Sequence, residues 1–223
     1  MIEAARTDAR ITAAAVTGSA AIGAADRWSD IDLALGLDLA TDRDRVVADW
    51  TERMYRTCGA VHHLDVFRES ILYRVFLLAS TLQVDLAFWP ATEFGAIAPT
   101  FRLLFGIANE RPTRPAPAAA DLIGMGWLYA LHARSTIARG RFWQVEYMVS
   151  GVRDQVLALA CLRHELPAVQ ARGIDDLPPV ATAAVAEALV RSLEATELRR
   201  AFGVVIDALI PRSNGSTPRW RAN

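Results

Sequence analysis

The sequence predicts an α+β chain in two parts: strands and helices over residues 1–110, then an all-α bundle over 118–212. Three observations carry that expectation. Short runs with strand periodicity stop before residue 90, long Pro-free runs with helical spacing follow residue 118, and a Pro-rich segment separates them. With 52% hydrophobic residues in 223, the chain has ample material for a buried core, so disorder is not the expected state.

Taken in order, Glu3–Ala15 is Ala-rich and Pro-free and predicts a helix, followed by a short apolar step into Gly18-Ser19. Asp30–Leu35 alternates acids and apolar residues as a half-buried strand does. Thr41 with Asp44 three residues later reads as a capping box, opening a helix to about Thr57 that stops at Gly59. Three strands are expected next, over Val61–Phe67, Ile71–Leu78 and Leu82–Phe88, the last two joined through Ala79-Ser80-Thr81 as a hairpin. Pro112, Pro115 and Pro117 mark a linker over 111–117. Helices are expected over Ala118–Arg139, Phe142–Glu165 and Pro179–Ile210, the last with a break near Leu193, and the segment from Pro167 to Pro179 reads as a loop. Trp127, Trp143, Val149, Val156 and Leu159 are expected in the helical core. The polar tail, 213–223, is expected to be loose.

Charge narrows the function. The formal net charge is −1, which disfavours a polyanion-binding surface, so nucleic acid is not an expected partner. All 24 basic residues are Arg. Lysine chemistry is therefore excluded, both Schiff bases and a phosphate loop ending in Lys. Cys58 and Cys161 stand apart without a partner motif, which suits a reducing compartment and predicts a cytoplasmic protein. No apolar run of about 18 residues predicts a membrane-spanning helix. The apolar stretch Ile11–Ala25 contains Thr12, Thr17, Gly18 and Ser19 and does not read as a signal peptide.

The chemistry concentrates in Gly18-Ser19, ten intervening residues, then Asp30-Ile31-Asp32-Leu33. Two positions apart on a strand, Asp30 and Asp32 point to one face, about 6.5 to 7 Å apart at their α carbons. Carboxylates so placed among apolar neighbours repel, and a divalent cation resolves the conflict. Asp85, in Gln83-Val84-Asp85-Leu86, is a third acid alone in an apolar strand. If the strands are neighbours, three carboxylates converge in the oxygen-rich set that Mg²⁺ prefers. The Gly18-Ser19 turn offers backbone N–H groups and a hydroxyl to phosphate, and a helix beginning there would add its dipole.

Gly18-Ser19, Asp30-Ile31-Asp32-Leu33 and Val84-Asp85-Leu86 resemble the signature of the DNA polymerase β superfamily of nucleotidyltransferases, closest to its small bacterial aminoglycoside and lincosamide members and to the minimal forms paired with toxins. The resemblance covers residues 10–90, and more loosely Gly140-Arg141-Phe142-Trp143 with Glu146 and Arg153. It implies a polymerase β-like mixed sheet with flanking helices. It also implies two Mg²⁺ ions on Asp30, Asp32 and Asp85, and ATP or another NTP held by Gly18, Ser19 and Arg27. Glu146 is then the implied general base toward a hydroxyl acceptor, an aminoglycoside-like antibiotic among the candidates. The chain departs from the pattern at Ile22, where many members carry Arg.

Other features carry blander expectations. Asp65 reads as a solvated strand acid, and His62-His63 alternate faces without a third ligand at zinc spacing. Arg27 is divided between phosphate contact and plain exposure, and Trp28 between base stacking and core packing. Glu146 has the alternative of pairing with an Arg to dock the two parts. The expected activity is transfer of a nucleoside monophosphate, AMP from ATP, to a hydroxyl of a small molecule or protein. Two alternatives remain: a noncatalytic nucleotide-binding or antitoxin-like regulator, and a polymerase or tRNA-tailing enzyme, which the neutral charge disfavours. Oligomeric state is not specified.

Overall fold

The computed structural model describes residues 1–112 and 115–210. The tail expected over 213–223, and residues 113 and 114 of the expected linker, lie outside the described residues. The chain divides into two compact units, Met1–Arg114 and Pro115–Asn223.

In the first unit, helix Ile2–Thr7 (α1) precedes strand Ile11–Thr17 (β1), and Gly18–Ala21 (α2) is a single helical turn. Strand Ile31–Leu37 (β2), helix Arg43–Thr57 (α3) and strands Ala60–Arg68 (β3), Ile71–Leu78 (β4) and Gln83–Pro90 (β5) follow. A 3₁₀ turn at Ala91–Glu93 and strand Phe101–Phe105 (β6) complete the unit. The strands form one mixed sheet in the order β3-β4-β5-β2-β1-β6. β2 and β5 run parallel, and the other neighbouring pairs are antiparallel. The second unit holds helices Ala119–Ala138 (α4), Phe142–Arg163 (α5), Pro179–Ala186 (α6) and Ala195–Leu209 (α7). A mixed sheet with helices followed by an all-α part is the α+β arrangement read from the sequence. No helix among the described residues is long and apolar enough to cross a membrane.

Strand alternation splits the sheet into two unlike faces. Leu33, Leu35, Val84, Leu86 and Phe88 pack against Val46, Trp50 and Met54 of α3, forming the larger core. The opposite face is lined by the small residues Ala13, Ala15, Ala34 and Ala87, with Trp89 and Phe94.

Several expectations are corrected. The helix read over Glu3–Ala15 ends at Thr7, and Ile11–Thr17 is a strand. Ala13, Ala14 and Ala15 lie mid-sheet between β2 and β6, and the backbone around Gly106 passes so close that a methyl group there would strike Ala13. Close strand approach selects alanine for size, and tertiary pairing outweighs its few tenths of a kcal/mol of helix preference. The cap of α3 is Asp42 rather than Thr41: its carboxylate accepts from the backbone N–H groups of Asp44 at 3.0 Å and Arg45 at 3.4 Å. α3 does end at Thr57, with Gly59 in the left-handed region at φ +73°. The β4–β5 hairpin forms through Ala79-Ser80-Thr81, closed by Leu78 N–H to Leu82 C=O at 2.9 Å. Strand β6 was not expected. It is a five-residue edge strand whose half-exposed residues show no alternation.

In the second unit the break expected near Leu193 spans 187–194, between α6 and α7. Val149 and Leu159 are buried and Val156 is partly so, but Trp127 and Trp143 are 53% and 77% exposed rather than in the core. Helix–helix contacts here are close. Leu209 of α7 sits over Gly126, and the Tyr129 ring sits over Gly151. Such contacts take glycine and alanine and turn the indoles outward.

Candidate metal and phosphate site

The site is assembled where the two parallel strands meet. In the β2–β5 register Ile31 pairs with Val84, Asp32 with Asp85 and Leu33 with Leu86. Because Leu33 and Leu86 face the core against α3, Asp32 and Asp85 side by side face the opposite way. Asp30 stands immediately before β2, two positions from Asp32. One carboxylate oxygen from each of Asp30, Asp32 and Asp85 lies within 4.8 Å of the others, and all three residues are half-buried. Among the described residues no other group of three His, Cys, Asp or Glu gathers its ligand atoms in this way.

The electrostatics fit such crowding. Burial pushes the Asp85 carboxyl above its ordinary range, Gln83 opposes the shift by hydrogen bonding, and the Asp30 charge adds to it. Gln83 Nε2 donates to Asp85 Oδ1 at 3.0 Å. Two positions earlier on β5, Gln83 shares its face with Asp85 and holds one oxygen in place. Sequence reasoning passed over Gln83, although its i−2 position from an isolated strand acid was the available signal.

Gly18 packs directly on this site. Its φ is +65°, and a methyl group on it would overlap Oδ2 of Asp32. Both the left-handed backbone and the close approach require glycine. Ser19 follows, and its carbonyl accepts from the N–H groups of Ile22 at 3.3 Å and Ala24 at 3.0 Å, curling the chain into a compact turn. Only one helical turn follows Gly18, so the macrodipole of a longer helix is not available there.

Arg27 and Trp28 sit in the loop between that turn and Asp30. Asp26 shapes the loop by accepting from Trp28 N–H at 2.8 Å, and Ser29 Oγ accepts from Asp26 N–H at 2.9 Å. The Arg27 guanidinium lies 4.3 Å from the centroid of the Trp28 ring. Trp28 is 78% exposed, which rules out core packing for it.

The remaining candidates have partners of their own. Asp65 forms a two-pronged ion pair with Arg74, both bonds at 2.6 Å, and Arg74 holds its carboxyl below the ordinary range. His63 Nδ1 lies 2.9 Å from Tyr55 Oη. Burial and the charge of Arg74 hold the His63 imidazole below its usual value. Glu146 is on α5, in the other unit, and accepts from Ser150 Oγ at 2.7 Å. Arg153 approaches Asp154 at 3.9 Å.

The donor set suits a hard divalent cation. Three carboxylates, no sulfur and no imidazole match the oxygen ligation of Mg²⁺ rather than the nitrogen and sulfur ligation of zinc.

No protein-family model and no curated protein sequence matches the chain. Solved structures similar to it include an aminoglycoside 6-adenyltransferase from Bacillus subtilis, at 12% identity and a TM-score of 0.38, covering 93% of this chain and 84% of that one. A nucleotidyltransferase-like protein from Exiguobacterium sibiricum is similar at 15% identity and a TM-score of 0.37, covering 93% and 71%. The polymerase core of TRAMP, an RNA surveillance complex, is similar at 15% identity and a TM-score of 0.30, covering 86% and 50%. What the site can do follows from its own side chains.

Proposed function

We propose that the chain is a polymerase β-like nucleotidyltransferase that moves a nucleoside monophosphate, AMP from ATP, onto a hydroxyl of a small molecule or protein. The observation that carries this reading is the convergence of Asp30, Asp32 and Asp85 within 4.8 Å, with the Gly18 backbone laid on Asp32. Asp30 and Asp32 would hold Mg²⁺, and Asp85 would complete the second metal position. When bound, the ions supply neutralisation of the triphosphate and of the charge that builds on the entering and leaving oxygens.

The protein's own residues do the rest. Gly18 and Ser19 present backbone N–H groups and a hydroxyl to the β and γ phosphates, and Arg27 supplies the positive charge that a lysine-free chain must take from arginine. The acceptor oxygen bonds to the α-phosphorus, the bond from that phosphorus to the β-phosphate bridge breaks, and pyrophosphate leaves. The hydroxyl proton passes to a carboxylate, for which Glu146 is our candidate. In this reading residues 1–110 are the catalytic part, and choice of acceptor falls to the helical residues 118–212.

Mg²⁺-dependent pyrophosphate release from ATP, screened over hydroxyl acceptors with aminoglycosides among them, tests the reading. Loss of release in Asp30→Ala is expected, and equal turnover by that variant and the unaltered protein overturns it. One observation favours a second reading. Ile22, 61% exposed, stands where many members of the resembled family carry Arg, which suits a regulator that binds nucleotide without transferring it. Calorimetry with ATP and Mg²⁺ separates the two, because a regulator binds without forming pyrophosphate.

A further inference from the structure

Strand β3 is one edge of the sheet, and among the described residues no strand pairs with its outer side. Exposed edges present unsatisfied N–H and C=O groups, and proteins normally blunt them with Lys, Pro, bulges or unpaired inward charges. β3 lacks most of these devices. Its ladder with β4 is regular from His62 to Arg68, with one irregularity between Ala60 and His62, and it contains neither Lys nor Pro. Asp65, the acid that would repel an incoming strand, is already neutralised by Arg74. Four large apolar residues are exposed along it: Val61 at 56%, Leu64 at 51%, Val66 at 37% and Phe67 at 62%. A nine-residue strand this apolar on an open edge is a pairing surface.

The order of residues says what pairs with it. We propose that β3 is a homodimer interface, joining antiparallel to β3 of a second copy across a two-fold axis at Leu64. In that register Leu64 meets the partner's Leu64, His63 meets the partner's Asp65, and His62 meets the partner's Val66. At either end Phe67 reaches the partner's Val61. The two members of each pair share a face, because their numbers differ by even steps: Leu64, His62 and Val66 lie on one face of the joined sheet, and His63, Asp65, Val61 and Phe67 on the other. The imidazole of His63 uses Nδ1 toward Tyr55, which leaves Nε2 to face a carboxylate oxygen with lone pairs beyond those Arg74 occupies. The strand is thus self-complementary about its centre in hydrogen-bonding groups and in apolar surface. An isologous contact requires that symmetry, and an unrelated peptide does not.

Sedimentation and light scattering over a dilution series test this on the full chain. The unaltered protein is expected to run as a dimer that dissociates on dilution. Leu64→Lys and Leu64→Glu each place like charges directly opposite at the axis, so each should weaken the dimer roughly tenfold or more, and an equal mixture of the two should restore it. Leu64 is half exposed in the single chain, so circular dichroism should show both variants folded. Under mild oxidation Leu64→Cys should cross-link between copies, beyond any background from Cys58 in the unaltered protein. Val66→Cys should not, because in this register the two Val66 positions lie about 13 Å apart, too far for a disulfide. A monomer at every concentration, an undisturbed dimer in Leu64→Lys, failure of the charge-reversed mixture to reassociate, or equal cross-linking by both cysteine variants overturns the proposal.

Discussion

Replacing Asp85 by Asn should stabilise the metal-free protein while removing its response to Mg²⁺. The three carboxylate oxygens lie within 4.8 Å of one another, and at an effective dielectric of about 20 a unit pair at that distance repels by about 3.5 kcal/mol before screening. Half-exposure and salt reduce this to about 1 kcal/mol. Asparagine retains an oxygen for Gln83 to donate to, so the variant removes charge and little else. The sign follows from linkage. Burial raises the folded pKa of Asp85, so the folded state holds its proton to higher pH than the unfolded chain does. Its contribution to stability is therefore greatest at low pH and falls as pH rises from about 3.9 through the raised folded value. Denaturation in EDTA should show the unaltered protein losing that increment over this window and Asp85→Asn not losing it, with a midpoint at pH 7 higher by about 4 to 8 °C for a unit of this size. Adding Mg²⁺ should then raise the midpoint of the unaltered protein and leave the variant nearly unmoved. A less stable Asp85→Asn protein in EDTA, or equal Mg²⁺ stabilisation of both, would refute the reasoning.

Gly18→Ala should cost about 1 to 2 kcal/mol for the left-handed backbone alone and, by displacing Asp32, should also lower pyrophosphate release; denaturation and the release assay read the two effects separately. Asp65→Asn should destabilise the fold by about 1 to 2 kcal/mol at pH 7 without changing nucleotide affinity. Because Arg74 depresses the Asp65 pKa, that stability is present above about 4 and fades as pH falls through the folded value, so the variant's stability profile should be flatter in acid. Glu146→Gln should reduce transfer by about a hundredfold with calorimetric ATP affinity unchanged, and an equal loss of affinity would remove Glu146 from the proton-transfer role.

What could be read from sequence was what local periodicity encodes. Ile71–Leu78 announced itself by apolar density, and Asp30 with Asp32 by two-residue spacing. That Asp85 joins them depends on β2 and β5 pairing in one register, a non-local fact that spacing does not contain. Ala13–Ala15 misled because the close approach that selects alanine leaves no trace in propensity. Trp127 and Trp143 misled for a related reason: α4 and α5 are each apolar on more than one side, and the buried side is chosen by which residues are small enough for a neighbouring helix. Thr41 stood one position before the residue that caps α3, Asp42, whose carboxylate accepts from two N–H groups.

The parallel pairing of β2 with β5 bears on how the protein comes together. β3, β4 and β5 form a meander of neighbours in sequence, and β1 with β2 is a second local pair. Each can organise early: the meander has short loops, and β1 with β2 closes only residues 18–30. The seam between the two groups joins Asp32 to a residue more than fifty positions away, and no partial structure brings the three carboxylates together. Metal affinity should consequently arise only when the seam closes. In a refolding experiment, uptake of a divalent ion would mark the docking of the two halves of the sheet, and a chain stalled before that step would carry native strands and no affinity for the ion.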